Sequence, residues 1–323
     1  MQRRAAAFPA AQATAVLARF TESGVELGAD QAAAVPGVLT SGAMVEVLSA
    51  AAGTGKSFTV GALSEAWTGA GHRVFGMAPS QVATDVLTEE GVTARNTHQW
   101  LTTQQRLDTA TPGGTDPGGD EAWRINRDDL VIVDEAGMAA TGDLAEIHRR
   151  CDAAGAKLLL VGDPRQLAPV GPGCVLADVA ERGVRYELAE VRRFTAAWER
   201  TASLALRDGD PAALADYDRH GRLVDGGTAE QAEAGAARAW LADTLAGRES
   251  LLLVGSNEAA AWVSAALRAD LVALGRVHEE GVPLGMQGTV AGVGDLVQAR
   301  RNGWDLIGMH GNSRAPINRE TYR

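Results

Sequence analysis

Cysteine is nearly absent: Cys151 and Cys174 are the only two in 323 residues, and their spacing is not that of a metal-binding pair. Two buried thiols in a reducing cytosol are the expected reading. The six histidines (His72, His98, His148, His220, His278, His310) stand singly, so no histidine cluster offers a metal site. Aromatics make up 5% of the chain, which leaves the cores to Ala, Leu and Val. Basic charge is in deficit, 30 Lys and Arg against 41 Asp and Glu, a net charge of −11. That balance argues against broad coating of duplex phosphates, although a narrow basic groove on an acidic body stays open. No stretch approaches the roughly 20 apolar residues of a membrane span. The opening MQRRAAAFPAAQATAVLARF reads as an amphipathic helix rather than a signal peptide. A soluble, cytoplasmic protein is expected.

What is present is an alternation of short apolar runs with longer helical patterns, the layout of a parallel sheet with crossover helices on both faces. Candidate strands are Val45–Leu48, Arg73–Ala78, Asp129–Val133, Lys157–Val161 and Ser250–Val254. After the first of them, Phe58, Ala62 and Ala66, with Leu63 and Trp67 beside them, form a stripe expected to pack on the sheet. Thr109 to Asp120, TATPGGTDPGGD, is turn chemistry throughout and reads as an inserted surface loop.

Three segments carry chemistry. AAAGTGKS, Ala50 to Ser57, lies between a strand and a helix, as a P-loop does. Its glycines let backbone N–H groups turn inward around phosphates, Lys56 reaches the β- and γ-phosphates, and Ser57 offers a hydroxyl to magnesium. Gly53, Thr54, Gly55, Lys56 and Ser57 are therefore the expected ATP-binding residues. Ala50 stands where the strict pattern has glycine, which is tolerable if its φ is negative. VIVDEAGM then delivers Asp134 and Glu135 at a strand end. Alone, such a pair is commonly a solvated strand end; downstream of a P-loop, Asp134 becomes a magnesium ligand and Glu135 the base for the attacking water. LLLVGDPRQLAPVG places Gln166 where it could sense the γ-phosphate from the adjacent strand end.

GTGKS, DEAGM and GDPRQLAPV in this order resemble the ATPase motifs of superfamily-one DNA helicases of the 5′→3′, RecD-like branch. VRRFTAAWERTASLALRDGDPAAL and VGDLVQARRNGWDL are similar to the helicase portion of TrwC/TraI-type conjugative relaxases, so that the likeness runs from about Leu27 to Arg323. It implies a RecA-like α/β fold followed by an incomplete second RecA-like domain, with ATP as substrate and Mg2+ as cofactor. It also implies that Gln31 reads the adenine edge and that Pro79, Ser80 and Thr97 touch single-stranded DNA. Arg193 would reach the γ-phosphate from the second domain, with Arg192 as the alternative. Each of these could instead be a helix-start, capping or surface ion-pair residue.

The expected division is an N-terminal helical segment over 1–26, a first RecA-like domain over 27–180 with an insertion at about 101–127, a partial second domain over 181–290, and the start of a small β-barrel insertion over 291–323. Nothing matches the histidine triad and tyrosines of a relaxase nicking domain, and no HAAQG-like run occurs. The resemblance therefore implies a helicase-type ATPase fragment, completed by a separate chain if by anything. Two alternatives remain open, a RecD-type recombination subunit and a nucleotide-binding remnant without turnover.

Overall fold

The computed structural model describes residues 4–109, 119–166, 173, 175–285, 288–309, 315–318 and 320–322. Cys174, most of the Thr109–Asp120 stretch, residues 167–171 of the third motif, and Arg319 and Arg323 of the last segment lie outside these. The chain divides into two compact units, Met1–Asp216 and Tyr217–Arg323.

In the first unit the elements run α1 (Ala10–Glu22), α2 (Ala29–Thr40), β1 (Val45–Ala50), α3 (Lys56–Gly69), β2 (Val74–Ala78), α4 (Gln81–Glu89), β3 (Thr93–Asn96), α5 (Thr97–Thr109), β4 (Leu130–Val133), α6 (Thr141–Ala154), β5 (Lys157–Gly162), α7 (Val175–Arg182), β6 (Val184–Leu188) and α8 (Ala197–Arg207). The six strands form one parallel sheet in the order β3-β2-β4-β5-β1-β6. This is a RecA-like α/β fold.

Successive strand residues point to opposite faces, and here both faces are covered. Leu48, Leu130, Ile132, Leu159 and Val161 join α1 to α4 in one core. Their neighbours Val47, Val131, Val133, Leu158 and Leu160 join α5, α6 and α7 in the other. With few aromatics available, two buried tryptophans supply the large volumes, Trp67 on α3 and Trp100 on α5. Trp67 meets Phe8 edge-on with ring centroids 4.8 Å apart, and Ala13, Val16 and Phe20 of α1 enter the same core. The N-terminal helix is thus part of the first unit's packing.

Several expectations change. Phe58 is 37% exposed, because the buried side of α3 is set by Thr59, Val60, Leu63 and Trp67. Residues 101–109 continue α5 rather than forming a loop. Residue 180 is not a boundary: Val184–Leu188 pairs in parallel with β1, so the first unit keeps its sixth strand and runs on to Asp216.

The second unit holds α10 (Ala229–Leu245) and α11 (Asn257–Ala273), with α9 (Leu214–Arg219) spanning the division. Its paired strands are β7 (Gly281–Leu284) with β8 (Thr289–Gly292) and β9 (Val297–Gln298) with β10 (Thr321–Tyr322), both antiparallel. The expected strand Ser250–Val254 is not one: Leu251 and Leu253 are exposed, while Leu252 and Val254 pack on Ala237, Val263 and Leu267. Without a neighbouring strand its apolar residues have only one covered side. No parallel sheet occurs among the described residues of this unit, and the first hairpin begins at Gly281, ahead of the expected division at 291.

One charge pair is sealed inside the sheet. Lys157 Nζ lies 3.1 Å from Glu46 Oε1 with both side chains fully buried, and donates to the carbonyls of Val38 (2.8 Å) and Ser41 (2.7 Å) at the end of α2. Burial pushes the Glu46 carboxyl up and the Lys157 ammonium down from their ordinary values. Removing one partner strands the other, at a cost of about 3–5 kcal/mol, whereas an apolar pair of similar volume is often neutral. Urea titration of Lys157→Met should show that loss, and adding Glu46→Leu should recover most of it.

Candidate active site

The sheet presents the carboxyl ends of β1, β4 and β5 side by side. At the end of β1 the chain turns through Ala51–Gly55 into α3, with Gly53 (φ +80°) and Gly55 (φ +83°) left-handed, a conformation that L side chains avoid. Ala50 is not among the positive-φ residues; it closes β1 as a buried strand residue, so alanine serves there. Thr54 is fully buried, its hydroxyl donating to Ala51 O at 2.8 Å, so its side chain shapes the loop from within.

Lys56 opens α3, and its ammonium lies 3.0 Å from Asp134 Oδ1 and 2.5 Å from Glu135 Oε1, both delivered by β4. Burial works against the lysine's charge, but Asp134 and then Glu135 outweigh it and hold its pKa above the ordinary value. The Asp134 carboxyl is also raised, by burial first, with Lys56 pulling the other way. Glu135 sits at φ +51°, a left-handed conformation uncommon for a non-glycine residue. Such outliers cost on the order of 1–3 kcal/mol and concentrate at functional sites. Ser57 is half-buried, and its hydroxyl makes no hydrogen bond among the described residues.

No cluster of three or more His, Cys, Asp or Glu forms a protein cage for a metal among the described residues. The donors at hand, the Ser57 hydroxyl and the Asp134 carboxylate, are hard oxygens of the kind magnesium takes together with water and phosphate oxygens. Lys56 meets the acidic pair where a cation is required, so the donor set fits magnesium.

Gln166 follows β5 and is exposed, its amide donating to Asp163 O at 3.2 Å. Asp163 is tied by both carboxylate oxygens to Arg207 of α8, at 2.7 Å each, and accepts from the Arg165 amide. Gln166, Ala51, Ala52, Val191 and Arg207 line a cleft of about 250 Å3 beside the P-loop. Arg193 lies in the same unit as the P-loop, not in a second domain: its amide donates to Gly53 O, and its side chain runs over Gly53. Its guanidinium has no hydrogen-bond or ion-pair partner among the described residues, whereas both terminal nitrogens of Arg192 are bonded, with Asp30 among their partners.

Gln31 is 2% exposed; its oxygen accepts from Gly28 N at 3.0 Å and its nitrogen donates to Gly55 O at 3.2 Å. It therefore caps α2 and braces the P-loop, and adenine would have to displace one of these bonds. Pro79 and Ser80 are exposed just after β2, with Ser80 capping α4 through Ala83 N. Because Ala78 pairs with Asn96, Thr97 emerges from the neighbouring strand end. Its hydroxyl, however, is buried without a partner among the described residues. Cys151 is buried and its thiol is pushed up to about 12, which makes it inert.

The P-loop after β1, the acidic pair after β4 and the polar turn after β5 all fall within residues 26–228, which match a family model described as AAA domain. The chain belongs to that family. The chain is 33% identical to the conjugal transfer protein TraA of Agrobacterium fabrum (strain C58) over 221 residues, 66% of this chain and 18% of TraA. A TraA of Rhizobium radiobacter is 33% identical over 199 residues, 59% of this chain and 16% of its own length. The RecBCD enzyme subunit RecD of Mycolicibacterium smegmatis is 39% identical over 109 residues, 32% of this chain and 19% of RecD. The chain thus spans less than a fifth of the length of these relatives. The likeness to the helicase portion of conjugative relaxases and to RecD-like helicases rests on these stretches as well as on the motifs. No helix among the described residues is long and apolar enough to cross a membrane.

Lys56→Ala removes the one cation inside the loop and leaves Asp134 and Glu135 repelling each other. Calorimetric titration with Mg-ATP should show binding weakened at least about a hundredfold; unchanged affinity would mean that the phosphates lie elsewhere.

Proposed function

We propose that the chain is the ATP-hydrolysing motor domain of a conjugative DNA helicase, working on single-stranded DNA. The observation that carries this reading is the Lys56 ammonium held by Asp134 and Glu135, since it joins the phosphate loop to the acidic strand end in one electrostatic unit. The TraA matches cover 54–66% of the chain and the RecD match 32%, which favours conjugation over recombination.

In this reading the inward N–H groups of Gly53 to Lys56 and the dipole of α3 bind the phosphates, and Lys56 moves from the carboxylates onto them. Ser57 and Asp134 hold magnesium, which supplies charge neutralisation at the phosphate oxygens. Release from Lys56 frees the Glu135 carboxylate to accept a proton from the attacking water. Gln166 orients that water or senses the γ-phosphate, and Arg193, beside Gly53 and with no guanidinium partner among the described residues, meets the charge that develops on transfer. Gln31 either keeps bracing Gly55 or turns to the adenine edge. Pro79, Ser80 and Thr97, on adjacent strand ends, take the DNA backbone, with Ser80 the accessible hydroxyl of the set.

Glu135→Gln separates binding from chemistry. Its Mg-ATP affinity should stay within about threefold of wild type while turnover falls by about 10²–10⁴. Equal turnover in a phosphate-release assay would remove Glu135 as the base. Single-stranded DNA should stimulate wild-type turnover, and the stimulation should fade steeply between 50 and 200 mM salt, a range over which phosphate contacts weaken. Stimulation by duplex alone, or none at any salt, would contradict the DNA assignment.

A further inference from the structure

A phosphate loop that turns its N–H groups inward leaves its carbonyls facing outward, and those acceptors need partners of their own. Here three successive carbonyls are met from outside the loop, the third of them also accepting from Thr59 of α3. Gly53 O accepts the amides of Arg192 (2.7 Å) and Arg193 (3.2 Å), Thr54 O accepts Arg192 Nη1 (2.5 Å), and Gly55 O accepts Gln31 Nε2 (3.2 Å). The segment after β6 and the start of α2 thus brace the same loop from residues far apart in sequence.

Asp30 joins the two braces. Its carboxylate accepts from the Gln31 amide (2.8 Å), the Glu190 amide (2.9 Å) and Arg192 Nη2 (2.6 Å), and its side chain is 14% exposed. Arg192 also donates to Glu190 O (3.0 Å) and Glu190 Oε2 (2.6 Å). Four of the five guanidinium N–H groups are therefore engaged. Gly28 leaves the room for this: a Cβ there would fall 1.7 Å from Arg192 Nη2. To reach a phosphate, Arg192 would have to abandon charge-assisted bonds and leave Asp30 unpaired.

We propose that Asp30 and Arg192 form a latch that sets the P-loop in its nucleotide-ready shape, with Arg192 a positioning residue that acts through Gly53 and Thr54. The latch rests on the ATP-binding reading for its consequence but not for its existence. Anything that draws the Glu190–Arg193 segment away loosens the loop, and the same movement carries off the neighbouring Arg193. Nucleotide affinity and the placement of Arg193 are thereby tied to one ion pair.

The test uses Asp30→Asn, Arg192→Ala, their double mutant and Gly28→Ala, which displaces the guanidinium without altering its charge. Hydrogen exchange of the peptide spanning 51–56 in nucleotide-free protein should accelerate about tenfold in each variant. The double mutant should be no faster than Arg192→Ala, because both changes open the same latch. In turnover, KM for ATP should rise about tenfold and kcat should fall with it by up to about tenfold, because the loosened segment carries Arg193 along. P-loop exchange unchanged in all three single variants would overturn the latch. A kcat loss of several hundredfold at constant KM in Arg192→Ala would make Arg192 a phosphate-contacting group instead. A wild type that neither binds nor hydrolyses ATP would contradict the proposed function, while the exchange measurement would still decide the latch.

Discussion

The ammonium of Lys56 is the group around which the first unit is organised. Held at the start of a helix whose dipole is positive, and largely out of water, it needs anions close by. Asp134 and Glu135 supply them from β4, at 3.0 and 2.5 Å. The parallel register through β5 sets Val133 level with Leu160 and Val47, so the acidic pair leaves β4 at the level of the last residues of β1. The contact also requires Glu135 to adopt a left-handed conformation that solvent exposure alone would not select.

The supporting structure follows from the same requirement. The loop that presents Lys56 turns its carbonyls outward, and Gln31, Arg192 and the Arg193 amide receive them. The next strand end is pinned in its turn, by Arg207 gripping Asp163 below Gln166. Two strand ends, those of β1 and β5, are therefore held by side chains from α2, α8 and the segment after β6, while the interior is filled by strand residues alternating between two cores. The fully buried Glu46–Lys157 pair ties β1 and β5 to the end of α2 from within.

Much of this is legible in sequence because it is local. The strands with continuous apolar runs, Val45, Val74, Leu130 and Lys157 onward, are buried on both faces and need no partner to be recognised. The glycines of GTGKS and the pair Asp134–Glu135 carry their chemistry in adjacent residues. The short strands Thr93–Asn96 and Val184–Leu188 escape such a reading, since edge strands with exposed polar residues lack the apolar signature. Ser250–Val254 misleads for the opposite reason: it has the signature without a neighbouring strand. The latch of Asp30 and Arg192 joins residues 162 apart, and no local pattern announces it. Thr97 is marked in sequence only by resemblance; neither the strand end it follows nor the inward turn of its hydroxyl is legible there.

A crystal structure of the chain with Mg2+ and a non-hydrolysable ATP analogue tests the central interaction most directly. Lys56 Nζ should have left Glu135 for the β- and γ-phosphate oxygens, with the cation on the Ser57 hydroxyl and on the Asp134 side, and with Glu135 free toward the γ-phosphate. A bound nucleotide with Lys56 still paired to Glu135, or phosphates away from Gly53 to Ser57, would contradict it.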